Sequence, residues 1–214
     1  VAIGLMDLLG EDARVMVDER NCNIMKITQK ELRAMLQLIN DILDISKIRN
    51  GKLTIDLVPC QIASVIKDSM TSNGILADGK GIRLVNEVPD HLPFCLADPR
   101  RVMEILSNLI SNAIKFSERN TCVTLSARHA EEGGEVIVEV RDQGLGIPED
   151  EQSRLFGMFE QISVRSTEGE TGTGLGLAIV EKLVDLHEGR VWVKSKVGEG
   201  SVFSFSLPLA RTHD

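Results

Sequence analysis

The chain has 214 residues, 43% hydrophobic and 26% charged, which is enough to bury a substantial core. Its net charge of −8 argues against non-specific nucleic-acid binding and against a basic membrane surface. There is no signal-peptide pattern and no apolar run of about 18 residues, and the four cysteines, Cys22, Cys60, Cys95 and Cys122, lack metal-ligand spacing and fit buried thiols in a reducing, cytoplasmic compartment.

Ile24, Ile27, Leu32, Met35, Leu36, Ile39, Ile42 and Leu43 recur at three- and four-residue steps, so a long amphipathic helix is expected up to about Ile48, before Asn50-Gly51. Such a stripe cannot be buried by the helix itself and asks for partner helices. Residues 52–58 alternate as a strand that Pro59 ends, and Ile62 to Met70 reads as a helix. Residues 82–88 and 94–97 supply short strands, after which Asp98-Pro99 signals a helix start. Residues 123–127, 136–141, 191–196 and 201–207 complete a mixed sheet, giving an α+β chain with a two-layer α/β sandwich after a helical segment.

Three segments carry the chemistry. At about 100° per residue, Glu104, Asn108, Asn112 and Lys115 fall within an arc of roughly 80° on one helix, while Ile105, Leu109, Ile110 and Ala113 project into a core. Asparagine is a mediocre helix former, yet carboxamide and carboxylate oxygens suit a hard cation such as Mg²⁺, and a lysine suits phosphate. An ordinary solvated face has the same pattern. Next, the strand 136–141 runs into Asp142-Gln143-Gly144-Leu145-Gly146-Ile147-Pro148, where a carboxylate can accept from an exocyclic amine and glycines let backbone approach a flat base. A tight turn explains those residues equally well. Finally, Gly172-Thr173-Gly174-Leu175-Gly176-Leu177 opens the apolar-periodic run 178–186, so free amides at a helix start offer an anion site. It lacks the ending of a phosphate loop, and no apolar strand precedes it as in a dinucleotide fingerprint. The polar stretch from Gln161 to Thr171 reads as a mobile lid.

Together these residues resemble the ATP-binding catalytic domain of two-component sensor histidine kinases, in the wider ATPase group that includes gyrase, the Hsp90 chaperones and MutL. Asn108, Asn112 and Lys115-Phe116 match the family's asparagine helix, and Asp142, Gly144 and Gly146 its first glycine box. Leu155-Phe156-Gly157-Met158-Phe159-Glu160 resembles its phenylalanine box, Gly172 to Leu177 its second glycine box, and Gly198 to Phe203 its closing strand turn. The motifs occur in the family's order over roughly residues 52 to 209, and residues 38–53 resemble the end of the second helix of the kinase dimerisation hairpin.

The resemblance implies a Bergerat-type sandwich at 52–210 and a partial dimerisation hairpin at 1–51, with Val1 to Leu9 as the tail of its first helix. It implies ATP and Mg²⁺ as ligands. Asp142 would read the adenine amine, Asn112 and secondarily Asn108 would hold the metal, and Lys115 would contact phosphate. Amides from Gly172, Thr173, Gly174, Leu175, Gly176 and Leu177 would cradle phosphates, and Phe116, Gly144, Gly146, Ile147 and Phe159 would line the site. Glu104 is a candidate proton acceptor. Thr171 departs from the glycine often found in relatives.

The implied activity is transfer of the γ-phosphoryl group to a histidine and onward to a response-regulator receiver domain, from a homodimer whose membrane attachment, if any, lies in other parts of the parent. None of His91, His129, His187 or His213 has the family's acceptor context, so the acceptor is expected just before Val1. Two other readings remain: an ATPase of the wider group, and a non-catalytic nucleotide-sensing dimerisation module.

Overall fold

The computed structural model describes residues 19–130, 134–160, 163–164, 166–167 and 173–210. The expected first-helix tail at Val1 to Leu9, Gly172, most of the expected lid, Thr171 and His213 lie outside the described residues. The chain divides between Leu53 and Thr54 into two compact units.

In the first unit, α1 (Glu19–Arg49) is a single helix of 31 residues. Ile24, Met35, Leu36, Ile39, Ile42 and Leu43 on it remain about half exposed. The helix stops where expected. Gly51 takes φ +60°, its N–H donates to Ile48 O at 3.0 Å, and the Asn50 carboxamide donates to Ser46 O at 2.7 Å, so orphan carbonyls of the last turn are satisfied.

The second unit runs β1 (Val58–Cys60), α2 (Ile62–Gly79), β2 (Arg83–Glu87), β3 (Cys95–Ala97), α3 (Pro99–Phe116), β4 (Cys122–Ala130), β5 (Glu135–Arg141), α4 (Glu149–Gln152), α5 (Gly176–Leu186), β6 (Val191–Lys196) and β7 (Gly200–Pro208). Five strands form a mixed sheet in the order β2-β4-β5-β7-β6, parallel only between β2 and β4. Helix α3 contacts both α2 and α5, and the helices cover one sheet face. Val136, Val138, Val140, Phe205 and Leu207 of the sheet and Ile105, Leu106, Leu109 and Ile110 of α3 are all fully buried and make up the core. This is the expected two-layer sandwich.

Three local expectations are corrected. Residues 52–57 are not a strand; pairing starts at Val58 and includes Pro59, which lies opposite Leu96. Proline is tolerated because β1 and β3 form a separate two-stranded ribbon, so its missing N–H costs no central ladder bond. That ribbon also removes β3 from the main sheet. Helix α2 continues beyond Met70 to Gly79, because it packs along α3 and buries Asn73 and Ala77; Thr71, Ser72 and Asn73 turn their polar side chains back to the carbonyls of Lys67, Asp68 and Ser69 at 2.9, 3.0 and 2.9 Å.

Cys60 and Cys95 are buried opposite each other on the ribbon. Burial, and then the neighbouring Cys60, push the Cys95 thiol up to about 12, which keeps it protonated and inert.

Candidate functional site

Helix α3 begins where its sequence signal places it. Asp98 Oδ1 accepts from the Arg100 and Arg101 N–H groups at 2.9 and 3.4 Å, with Pro99 in the first turn. The Asp98 N–H donates to His187 Nε2 at 3.0 Å, while His187 Nδ1 lies 2.7 Å from Leu183 O. These partners fix a neutral imidazole with its proton on Nδ1. A buried histidine thus ties the start of α3 to the end of α5, setting two helices of the site against each other.

The polar face of α3 is half-buried at Glu104, Asn108, Asn112 and Lys115. Asn108 Nδ2 donates to Glu104 O at 3.1 Å, which leaves its Oδ1 aimed at the glycine loop. A methyl placed on Gly176 would lie only 2.8 Å from that oxygen, so the first residue of α5 must be small for loop and helix to meet. Glu104 is engaged elsewhere: its Oε2 accepts from Arg101 Nη1 at 2.7 Å. Lys115 stacks its ammonium over Phe116, 5.2 Å from the ring centre.

Asp142 is 5% exposed, and its Oδ1 accepts from the N–H groups of Gly144 and Ser201 at 2.8 and 3.1 Å. Its Oδ2 has no hydrogen-bond partner among the described residues. Burial raises the carboxyl above its ordinary range, and the two backbone donors offset only part of that rise. Ser117, facing Gly144 across an isolated bridge, has a buried hydroxyl oxygen, Oγ, without a partner among the described residues. A buried polar atom left unpaired is costly unless something bonds to it.

Backbone closeness around this corner explains its glycines. A methyl on Gly144 would lie 2.5 Å from Phe116 O. Gly146 has φ +70°, and a methyl there would lie 2.0 Å from Lys196 O. Ile147 is buried beside it and donates to Ser195 Oγ at 2.8 Å.

The glycine loop leads into α5 through buried Leu175, whose N–H donates to Thr173 Oγ1 at 3.3 Å, and half-buried Leu177 follows in the first turn. The opening amides of this 11-residue helix lie beside Asn108. Phe159, 69% exposed, holds a left-handed φ of +61° while its N–H donates to Gly174 O at 3.0 Å. That conformation is strained for an aromatic residue, so the phenylalanine box and the glycine loop fix each other.

The described candidates therefore converge from three directions: α3, the turn after β5, and the start of α5. Sequence reasoning missed Ser195, Ser201 and His187 as supports. The turn Gly198 to Ser201 was visible as a motif, but nothing in it signalled that Ser201 N–H would hold Asp142. Among the described residues, no group of three or more His, Cys, Asp and Glu could hold a metal ion, and no helix is long and apolar enough to cross a membrane.

Comparison with known proteins agrees with this geometry. Residues 97–211 match the family described as histidine kinase-, DNA gyrase B-, and HSP90-like ATPase. The circadian input-output histidine kinase CikA of Synechococcus elongatus is 36% identical over 96% of this chain and 27% of its own length. The signal transduction histidine-protein kinase BarA of Escherichia coli K12 is 36% identical over 85% of this chain and 20% of its own length. The chain thus spans only about a quarter of these relatives. The crystal structure of full-length ShkA in complex with AMPPNP superposes with a TM-score of 0.78 at 30% identity, covering 99% of this chain and 43% of that one. With the fold, the convergent motifs and the family match in agreement, the chain belongs to the histidine kinase-, DNA gyrase B-, and HSP90-like ATPase family, as an ATP-binding catalytic domain of the sensor histidine kinase type.

Proposed function

We propose that this chain binds Mg²⁺-ATP and transfers its γ-phosphoryl group to a histidine, for relay to a response-regulator receiver domain. The observation that carries the reading is Asp142: a buried carboxylate with one oxygen saturated by backbone and the other presented without a partner. An exocyclic amine is the complementary group.

In this reading Asp142 takes the adenine amine, while Gly144, Gly146 and Ile147 give the base a flat backbone wall. The amides from Thr173 to Leu177 take phosphate oxygens at the start of α5, and Lys115 adds a cation from the end of α3. The carboxamide oxygens of Asn112 and Asn108 are hard donors suited to Mg²⁺, which uses few protein ligands when phosphates supply the rest. When bound, that ion neutralises charge on the phosphates. Glu104, already paired with Arg101, is given no step. In the transfer, the bond from γ-phosphorus to the ADP oxygen breaks and a bond to an imidazole nitrogen forms, with ADP leaving and the imidazole proton released to solvent. The histidine belongs to a context absent from residues 1–214.

The exposed stripe of α1 supports pairing with a second copy, and the kinase relatives support a cytoplasmic site of action within a larger parent. A hydrolytic ATPase is less well supported, because Asn108 stands where that group carries a glutamate and a carboxamide cannot take a proton from water. A purely nucleotide-sensing module would bind ATP without turnover.

The test supplies a protein of the same parent that carries an acceptor histidine, together with γ-labelled ATP. Acid-labile, alkali-stable label on that histidine is expected. Phosphate release to water at a rate indifferent to the acceptor would sink the transferase reading.

A further inference from the structure

We infer that Lys80 is a positioning residue for the phosphate end of the nucleotide site, acting through the last turn of α3. The inference rests on the nucleotide reading above and concerns a residue outside the 97–211 family match.

Lys80 follows the final residue of α2 and is only 5% exposed. Its main chain is held in a tight turn: the Lys80 and Ile82 N–H groups donate to Ala77 O at 3.1 and 2.8 Å, and Gly81 takes φ +68°. The side chain then reaches across to α3, where the ammonium donates to Ile114 O at 2.8 Å and to Lys115 O at 2.9 Å. These carbonyls lie in the final turn of α3, beyond the last backbone bond from Ser117 N–H to Ala113 O, and so need partners from outside the helix. A cation there also meets the negative end of the helix dipole.

Burying an ammonium is a costly way to cap a helix when an asparagine or a glycine would serve. No carboxylate lies within ion-pair distance of Lys80 among the described residues. What the ammonium gains by this position is control of one turn with two jobs. That turn carries Lys115. It also receives Thr167 from the segment between the phenylalanine box and the glycine loop, and the Thr167 Oγ1 donates to Lys115 O at 3.2 Å or Ser117 O at 3.0 Å. Phe116 O is held separately by Leu145 N–H at 3.4 Å, so the Gly144 corner does not depend on the ammonium. Lys80 and Thr167 therefore share one carbonyl, and the ammonium keeps that carbonyl aimed where the segment can reach it.

The test compares wild type with Lys80→Met, which keeps the length of the side chain and removes its donors and charge. Affinities are measured for Mg²⁺-AMPPNP, for ADP and for adenosine, with amide hydrogen exchange of the nucleotide-free proteins. The expected result is at least tenfold weaker AMPPNP binding, less than twofold change for adenosine, and faster exchange at residues 114–118 with α5 unchanged. Equal loss for all three ligands, or unchanged affinities, would reduce Lys80 to a structural residue and overturn the inference. A wild type that binds none of the three overturns the nucleotide reading and the inference with it. If Lys80→Met does not fold, Lys80→Gln, which retains a neutral donor, carries the same comparison and the same criteria.

Discussion

Replacing Asp142 by asparagine separates recognition from stability. The change conserves volume and lets Oδ1 keep the N–H groups of Gly144 and Ser201, but it turns the outward atom from an acceptor into a donor. A hydrogen bond to a charged acceptor is worth about 1.5–3 kcal/mol, so loss of the adenine contact alone weakens ATP and ADP by about 10- to 150-fold. Stability should move the other way. Burial raises the folded carboxyl above its unfolded value, so its favourable contribution is complete below the ordinary aspartate range and disappears as pH rises through the raised value. At neutral pH the folded protein therefore carries a desolvated carboxylate that asparagine relieves. Calorimetric titration should show weak or absent nucleotide binding by Asp142→Asn. Thermal melts from about pH 4 to pH 8 should show the nucleotide-free variant at least as stable as wild type at the upper end, with the difference shifting in favour of wild type on acidification. A variant that melts well below wild type at neutral pH yet retains nucleotide affinity would refute the argument.

Four further outcomes follow from the same geometry. Asn112→Ala should abolish the gain in ATP affinity that Mg²⁺ confers while leaving the melt unchanged, as read by titration with and without the ion. Gly176→Ala adds a methyl 2.8 Å from Asn108 Oδ1, so the carboxamide must move and triphosphate affinity should fall several-fold, while urea denaturation shows stability changed by less than about 1 kcal/mol because the atom displaced is the end of a side chain. Gly146→Ala forces a side chain into a left-handed position 2.0 Å from Lys196 O and should cost about 3 kcal/mol or more in the same denaturation. His187→Ala removes the acceptor of the Asp98 N–H and empties a fully buried site, a loss of about 2–4 kcal/mol measured at constant pH.

Much of this was legible from residue order because each motif serves its own local geometry. Asp98-Pro99 announces a capped helix whatever lies around it, and the apolar positions 105, 109, 110 and 113 follow from helical period alone. The strands 136–141 and 191–196 were visible by alternation, though Ile137 is buried as well, as a strand in mid-sheet allows. What escaped depends on distant partners. Pro59 can sit inside a strand only because β1 belongs to a ribbon, and residues 71–79 stay helical because Asn73 and Ala77 are buried as α2 packs along α3. Lys80, His187 and Ser201 look like surface or turn residues in isolation. Their roles appear once chain segments 34, 89 and 59 residues apart are brought together. The polar face of α3 shows the same limit: its spacing was readable, but the diversion of Glu104 to Arg101 and the aim of Asn108 at Gly176 were not.

The most direct test is calorimetric titration of this chain with ADP and AMPPNP, with and without Mg²⁺. The account predicts saturable binding of both nucleotides at one site, with AMPPNP strengthened by Mg²⁺. A folded wild-type chain that binds neither nucleotide would contradict it.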